Sequence, residues 1–300
     1  MLAMTVASRY LVVGCGYVGT RLARALLPRG PVMAVTRTEA SAARLDAQGI
    51  DAVSWDLDLT TAPVPRGLGT PSVVFYLVAP PPSGAGDPRL KRFLAKLPAK
   101  PARLLYLSTT GVYGDALGAL VNEDAPLNAG TERAQRRIDA ENSARSWCTL
   151  HGVGWTILRV PGIYGPGRLP LERLKRGEPL IRHSEAGPSS RIHVDDLVNA
   201  CLLASSAARA VERIYNVSDG NAASMTEYLE RVAMLTGMPA PRLVSREEAS
   251  QVLPPELWSF LAESRRVDAS RIRDELGFAP RFKDLRLGIL SSLPAPTEGS

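Results

Sequence analysis

The segment Gly14-Cys15-Gly16-Tyr17-Val18-Gly19 constrains this chain more than any other. It follows the apolar run Tyr10-Leu11-Val12-Val13. It opens a stretch in which Val18, Leu22, Ala25 and Leu26 recur at helical spacing, until Pro28 and Gly30 stop the pattern. This is G-x-G-x-x-G in a strand–turn–helix setting. Each glycine then has its own mechanical task. Gly14 permits the tight turn, Gly16 lets backbone approach a pyrophosphate, and Gly19 lets helix and strand pack closely. The unpaired amides and positive dipole end of the helix hold the anion. Placement between a strand and an amphipathic helix favours a dinucleotide site over an ordinary glycine turn.

With 300 residues, 45% hydrophobic and 22% charged, the chain suits one large α/β domain or one domain with a smaller appendage. A net charge of +6 and a pI near 9.4 raise the question of nucleic acid. The 36 basic residues are scattered among 30 acids, with no run of five like charges, so no nucleic-acid partner is expected. Cys15, Cys148 and Cys201 are widely spaced, and His151, His183 and His193 lack ligand spacing, so neither a disulfide framework nor a metal site is expected. A reducing, cytoplasmic setting fits this cysteine usage. Met1–Arg9 lacks a charged segment followed by a long apolar core, and no run approaches the ~20 apolar residues of a membrane helix.

Strand and helix patterns alternate through the first two-thirds. Strands are predicted at Tyr10–Val13, Val32–Thr36, Ile50–Ser54, Val73–Val78, Leu104–Ser108, Trp155–Val160 and Ile214–Val217. Helices are predicted at Thr131–Leu150, Val194–Ser205, Ser224–Gly237 and Ala269–Leu276. Short, wholly apolar strands suit a parallel sheet covered on both faces, so a doubly wound α/β fold is expected. Ser224 with Glu227, and Ser245 with Glu248, carry capping-box spacing. The Pro80–Gly86 loop, after the fourth strand, is either a stiff connector or a wall of the cofactor crevice.

In NAD-binding units an acid near the end of the second strand receives the ribose hydroxyls. Here Val35-Thr36-Arg37-Thr38 stands at that distance, with no acid before Glu39. Arg37 suits a 2′-phosphate, with Thr36 and Thr38 supplying hydroxyls, so NADP is preferred and NAD is the alternative. Asp56, after the third strand, is either an acceptor for the adenine amino group or a turn residue.

Further stretches occur in order: Leu107-Ser108-Thr109-Thr110-Gly111-Val112-Tyr113-Gly114, then Leu158-Arg159 with Ile163-Tyr164-Gly165-Pro166-Gly167. Ile192-His193-Val194-Asp195-Asp196-Leu197 and Leu276-Gly277-Phe278-Ala279-Pro280 follow. With the glycine turn, they make the chain resemble the extended (atypical) short-chain dehydrogenase/reductase family, in its NAD(P)-dependent epimerase/dehydratase branch. The resemblance runs from about residue 10 to 285. It implies a doubly wound, seven-stranded parallel sheet with a smaller carboxy-terminal substrate lobe. The division implied is residues 1–165, with 191–220 returning to the sheet, against 166–190 and 221–300. Besides the glycine-turn residues and Arg37, the cofactor set comprises Asp56, Leu57, Val78, Ala79 and Arg137. Thr109 matches the residue that hydrogen-bonds the substrate oxygen.

The resemblance also implies a Tyr-x-x-x-Lys acid/base pair, and here the chain departs from it. The family's glutamate, eight residues after the tyrosine, matches Glu141, which puts Arg133 at the tyrosine position and Arg137 at the lysine position. The lysines are Lys91, Lys96, Lys100, Lys175 and Lys283, and none has a tyrosine four residues before it. Arginine stays protonated at any working pH and cannot shuttle a proton. Arg133 and Arg137 suit an anionic ligand, or with Arg136 form a solvated basic face. Among possible replacement bases, Glu123 and Asp124 lie in a loop, Tyr113 and Tyr164 suit packing, and His193 suits a helix cap. The expected function is an epimerase/dehydratase-like oxidoreductase acting on a small carbonyl or nucleotide-sugar-like substrate, as a monomer or homodimer. The alternative is a non-catalytic NADP(H)-binding redox sensor or partner-binding protein.

Overall fold

Strands that are apolar on both sides need cover on both faces, and the chain forms such a sheet. In this computed structural model, residues 9–128 and 130–294 are described; Met1–Ser8, read above for a leader pattern, and 295–300 lie outside them. The sheet strands are β1 (Tyr10–Val13), β2 (Val32–Thr36), β3 (Ala52–Ser54), β4 (Val73–Tyr76), β5 (Arg103–Thr109), β6 (Gly154–Val160) and β7 (Arg213–Asn216). All pair in parallel, in the order β7-β6-β5-β4-β1-β2-β3. The order reverses between β1 and β4, so the crevice for a ligand opens at their carboxyl ends.

The two-residue period sorts side chains to opposite faces. Val12 and Phe75 join the core under helices α1 (Tyr17–Leu26) and α5 (Val194–Ser206). Leu11, Val13, Val74 and Tyr76 join the opposite core, under α3 (Pro88–Lys96) and α4 (Glu132–His151). In α4, Ala140, Ala144 and Cys148 form a small-residue stripe that lets this otherwise polar helix lie close to the sheet. Thr131 caps its start and left-handed Gly152 ends it. In α1, Gly19 and Ala23 are buried with Val18, Leu22 and Leu26, whereas Ala25 is only half-buried. The helix ends in a 3₁₀ turn at Leu27–Arg29.

Two predicted strands are shorter than their apolar runs. Ile50 closes the turn after α2 (Glu39–Asp46), its amide bonding to the Leu45 carbonyl. Leu77 and Val78 pass β4's end and run beside the glycine turn. A further core packs Tyr164, Leu174, Leu229, Val232, Leu285 and Ile289 around α6 (Met225–Thr236), so Tyr164, on the sheet side of the implied division, joins residues from the 166–190 and 221–300 segments. A reciprocal capping box of Ser224 and Glu227 starts α6, and Gly237 ends it. Among the described residues, three further two-stranded parallel pairs form: Arg191–His193 on Gly162–Tyr164, Leu243–Val244 on Leu180–Ile181, and Arg266–Val267 on Leu120–Val121.

Candidate functional site

Three cavities meet at the carboxyl ends of the strands. The first, of about 350 Å³, is walled by Gly14, Val35, Arg37, Asp56 and Val78, with Arg44 on its rim. The second, of about 310 Å³, lies beyond Gly14 and Gly16 and reaches Leu107, Thr109 and Arg137. The third, of about 350 Å³, shares Thr109, Pro161, Ile163 and Arg168 with the second and extends into the smaller lobe. A groove with an open end thus runs past the glycine turn toward a separate chamber.

The turn has the geometry a pyrophosphate requires. Gly14 adopts φ +89°, and a Cβ there would fall 2.8 Å from Val78 Cγ2. A Cβ on Gly19 would fall 2.6 Å from the Gly14 carbonyl oxygen, so α1 can touch the end of β1 only with hydrogen at this position. A Cβ on Gly16 meets nothing within 4 Å, because this residue faces the open groove. The amides of Gly14 and Cys15 bond the Val35 carbonyl. Those of Tyr17, Val18 and Gly19 lie in the first turn of α1, where helix geometry provides no acceptor. No carboxylate occupies that turn. These residues fit a dinucleotide.

At the first cavity, Arg37 is exposed on the wall and Arg44 donates to Ser41 Oγ at 3.1 Å. The threonines read as phosphate donors are already engaged: Thr36 donates to the Thr38 carbonyl, and Thr38 caps α2 through the Ser41 amide. Asp56 lines the wall while its carboxylate accepts from the Asp58 amide at 2.9 Å, so it makes the turn as well. Leu57 lies on the same wall. Ala79 is exposed, and its carbonyl accepts from Arg89 at 3.0 Å. The hydrogen bond from Arg89 holds the Asp58 carboxyl below its ordinary range.

At the other end, Thr109 stands at the junction of the second and third cavities, its Oγ1 accepting from the Gly111 amide at 3.1 Å. Arg137 lines the second cavity and donates to the Tyr106 hydroxyl and Leu107 carbonyl, each at 3.2 Å. Arg133, one turn earlier on α4, lines the third cavity, with its guanidinium 3.7 Å from the Phe260 ring centroid. Burial lowers its pKa from the arginine value, with Glu263 opposing, but a guanidinium remains charged at any working pH. Arg136 does not share a solvated basic face with them; it is buried and donates to the Gly84 carbonyl. That bond ties α4 to the Pro80–Gly86 loop.

Behind Thr109 lies a buried ionic network. Glu141 and Arg159 pair at 2.8 Å with their side chains 2% and 3% exposed, and the Ser108 hydroxyl donates to the same carboxylate. Arg159 also donates to the Tyr113 hydroxyl at 3.0 Å, which in turn donates to Asn216. Burial works against the charge of Arg159, yet Glu141 outweighs it and raises the pKa.

Of the replacement bases considered from sequence, Glu123, Asp124, Tyr113 and His193 are engaged elsewhere, whereas the Tyr164 hydroxyl is buried without a hydrogen-bond partner. Glu123 is buried and accepts from the Asn216 amide at 2.8 Å, and Asp124 pairs with Arg271. His193 caps α5 through the Asp195 amide and is fully buried, which lowers its pKa. Tyr164 packs in the lobe core and also lines the third cavity. Among the described residues, no group of three or more His, Cys, Asp or Glu could hold a metal ion.

Sequence reasoning missed Arg168, whose guanidinium lies 4.4 Å from the Tyr17 ring centroid at the junction of the two inner cavities. It also missed Arg173, Arg191, Glu263 and Arg265 on the chamber wall. The only sequence signal was the position of Arg168 directly after Gly165-Pro166-Gly167.

A glycine turn at the switch point of a doubly wound parallel sheet, with a chamber beyond it, defines a Rossmann-like α/β protein. Residues 10–218 match the profile of the NAD dependent epimerase/dehydratase family, and the chain belongs to that family. It is similar to Protein YeeZ of Escherichia coli (strain K12), 26% identical over 293 residues covering 91% of this chain and 96% of that protein. It is also similar to a functionally unknown conserved protein from Silicibacter pomeroyi DSS, with TM-score 0.80, 30% identity, and 95% and 97% of the two chains covered. UDP-glucuronic acid 4-epimerase from Bacillus cereus, solved with UDP-glucuronic acid and NAD, shares the fold at TM-score 0.74 and 19% identity, with 95% and 97% covered.

Proposed function

We propose that this protein binds NADP along the glycine turn and acts as an oxidoreductase on a small anionic carbonyl or nucleotide-sugar-like compound, without a tyrosine–lysine pair. The observation that carries the reading is the continuity of the cofactor groove with the chamber, through Thr109 and Arg168. The dinucleotide supplies hydride chemistry when bound. The first-turn amides of α1 hold its pyrophosphate, and Arg37 with Arg44 offer guanidinium donors to a 2′-phosphate. Arg137 is held at the strand end to donate to ribose hydroxyls. Thr109 presents its hydroxyl to a substrate oxygen. Arg133 orients an anionic group. Absence of a general acid/base costs roughly 10²–10⁴-fold, which makes such an enzyme slow but not inactive.

The reading is tested by titrating the protein with NADP⁺ and NADPH in a calorimeter. A panel of carbonyls and sugar nucleotides is then followed by nicotinamide absorbance. Heat on titration and turnover of at least one anionic carbonyl are expected. Tight binding with no turnover across the panel would instead support a redox sensor, and no heat at all would refute the dinucleotide site.

A further inference from the structure

Of the arginines on the chamber wall, three have their charge met inside the protein. Arg173 pairs with Glu178 at 2.8 Å, and Arg265 pairs with Glu263 at 2.9 Å. Arg191 is buried, faces Asp219, and donates to the Ala223 carbonyl at 2.8 Å and the Ser189 hydroxyl at 3.0 Å. Arg133 and Arg168 differ. Neither has an ion pair among the described residues, and each guanidinium rests on an aromatic ring, 3.7 Å from the Phe260 centroid and 4.4 Å from that of Tyr17. Glu263 faces Arg133, but its carboxylate is held by Arg265. A guanidinium stacked on a ring keeps its in-plane N–H groups for a carboxylate. Those of Arg133 are little used, with one contact to the Ser259 hydroxyl at 3.5 Å. Phe260, on the short helix Pro255–Leu261, lines the chamber and is 60% exposed. Ile163, Tyr164, Met225, Tyr228 and Val267 add apolar surface to the same wall.

From this arrangement we infer that the chamber selects a compact aromatic carboxylate bearing a carbonyl, in preference to a nucleotide diphosphate sugar. The inference rests on the reading of the chamber as the substrate site and narrows the substrate class within it. Arg133 takes the carboxylate, and the open part of the Phe260 ring packs against the ligand's ring. The ligand's carbonyl oxygen meets the Thr109 hydroxyl, whose oxygen accepts from the Gly111 amide and so keeps its proton to donate. A diphosphate carries charge on two adjacent phosphates and needs converging cations without partners. This wall has two such cations, and Arg168 stands at the groove junction rather than on Phe260. The volume of about 350 Å³ is also at the small end for a ligand pocket, which spans roughly 300–1,000 Å³.

Ligand-observed NMR titration of the full chain, with and without saturating NADPH, tests this using benzoate, cyclohexanecarboxylate and UDP as probes. Benzoate is expected to bind roughly two- to tenfold more tightly than its saturated counterpart, the scale of one aromatic contact. UDP is expected not to displace it. Phe260→Leu should bring the ratio of the two carboxylates close to one. Arg133→Gln should weaken both carboxylates alike, by about tenfold or more for a lost charge-assisted contact. Arg133→Lys should recover part of that loss, because it keeps the charge without the planar fork. Thermal melts check that each variant is folded, and the ratio within one variant does not depend on its folded fraction. No binding of benzoate, its displacement by UDP, equal binding of the two ring carboxylates, or an unchanged ratio in Phe260→Leu would overturn the inference and leave the dinucleotide reading standing. Failure of NADPH to bind would overturn that reading instead, while the carboxylate ratio is still read on the coenzyme-free chain.

Discussion

Replacing Arg159 with methionine removes the guanidinium from the network behind Thr109 while keeping most of its volume. The loss is larger than one hydrogen bond. Arg159 makes two contacts to Glu141, at 2.8 and 3.1 Å, and one to the Tyr113 hydroxyl at 3.0 Å. Glu141 is only 2% exposed, so no water can replace the lost partner, and the Ser108 hydroxyl is left to serve the carboxylate alone. Stranding a buried charge in this way costs about 3–5 kcal/mol. For a chain of this size, ~2–4 °C per kcal/mol turns that into a fall in Tm of roughly 6–20 °C. Differential scanning calorimetry with urea denaturation checks it. The double variant Glu141→Leu with Arg159→Met, which removes both charges, should recover most of the loss, because the pair's attraction chiefly offsets its own desolvation. A single-variant cost below about 1 kcal/mol, or a double variant as unstable as the sum of the singles, would refute the idea that the pair is a desolvated, mutually dependent unit.

Two glycine substitutions should separate folding from binding. Gly16→Ala adds a methyl group that meets nothing within 4 Å, so its Tm should hold within a few degrees while its dinucleotide affinity falls at least ~10-fold in calorimetry. Gly19→Ala drives a methyl to 2.6 Å from the Gly14 carbonyl, so it should lose about 1–3 kcal/mol of stability as well as affinity. At the other end of the groove, Arg44→Gln should weaken NADP more than NAD, by roughly 1–3 kcal/mol for a lost charge-assisted contact; equal losses would remove Arg44 from the 2′-phosphate site. Burial raises the Asp219 carboxyl from 3.8 to about 7. A carboxyl raised in the folded state favours folding while protonated, and that contribution is lost as pH rises from about 4 through about 7. Asp219→Asn should therefore gain stability relative to the parent between pH 5 and pH 8, by roughly 1–3 kcal/mol in pH-dependent melts; parallel stability curves would contradict it.

Much of the fold was legible because its signals are local. The sheet strands, the long α4 and the caps at Thr131, Ser224 and Gly237 follow from periodicity and from side chains bonding backbone a few residues away. Where the reading was off, a tertiary contact intervened. The strand expected through Val78 stops at Tyr76 because the chain beyond it lines the groove against the glycine turn. Glu123, in a loop that reads as exposed, is buried because a backbone amide of the last sheet strand, Asn216, claims its carboxylate. That no Tyr-x-x-x-Lys motif occurs needed no structure, since the positions of the five lysines state it directly.

What the sequence determined by itself was the glycine turn and the parallel sheet around it, because glycine sterics and apolar runs act over a few residues and leave a readable pattern. What only the tertiary structure decided was the company Arg133 keeps. Arg168, Arg173, Arg191 and Arg265 come from a turn, a short helix, a strand and a later loop, and tertiary packing brings them to one chamber with a single carboxylate among its lining residues. Charges far apart along a chain carry no mark of meeting in space. Their convergence is set by which helix faces pack and how the lobe closes, and those interactions are long-range.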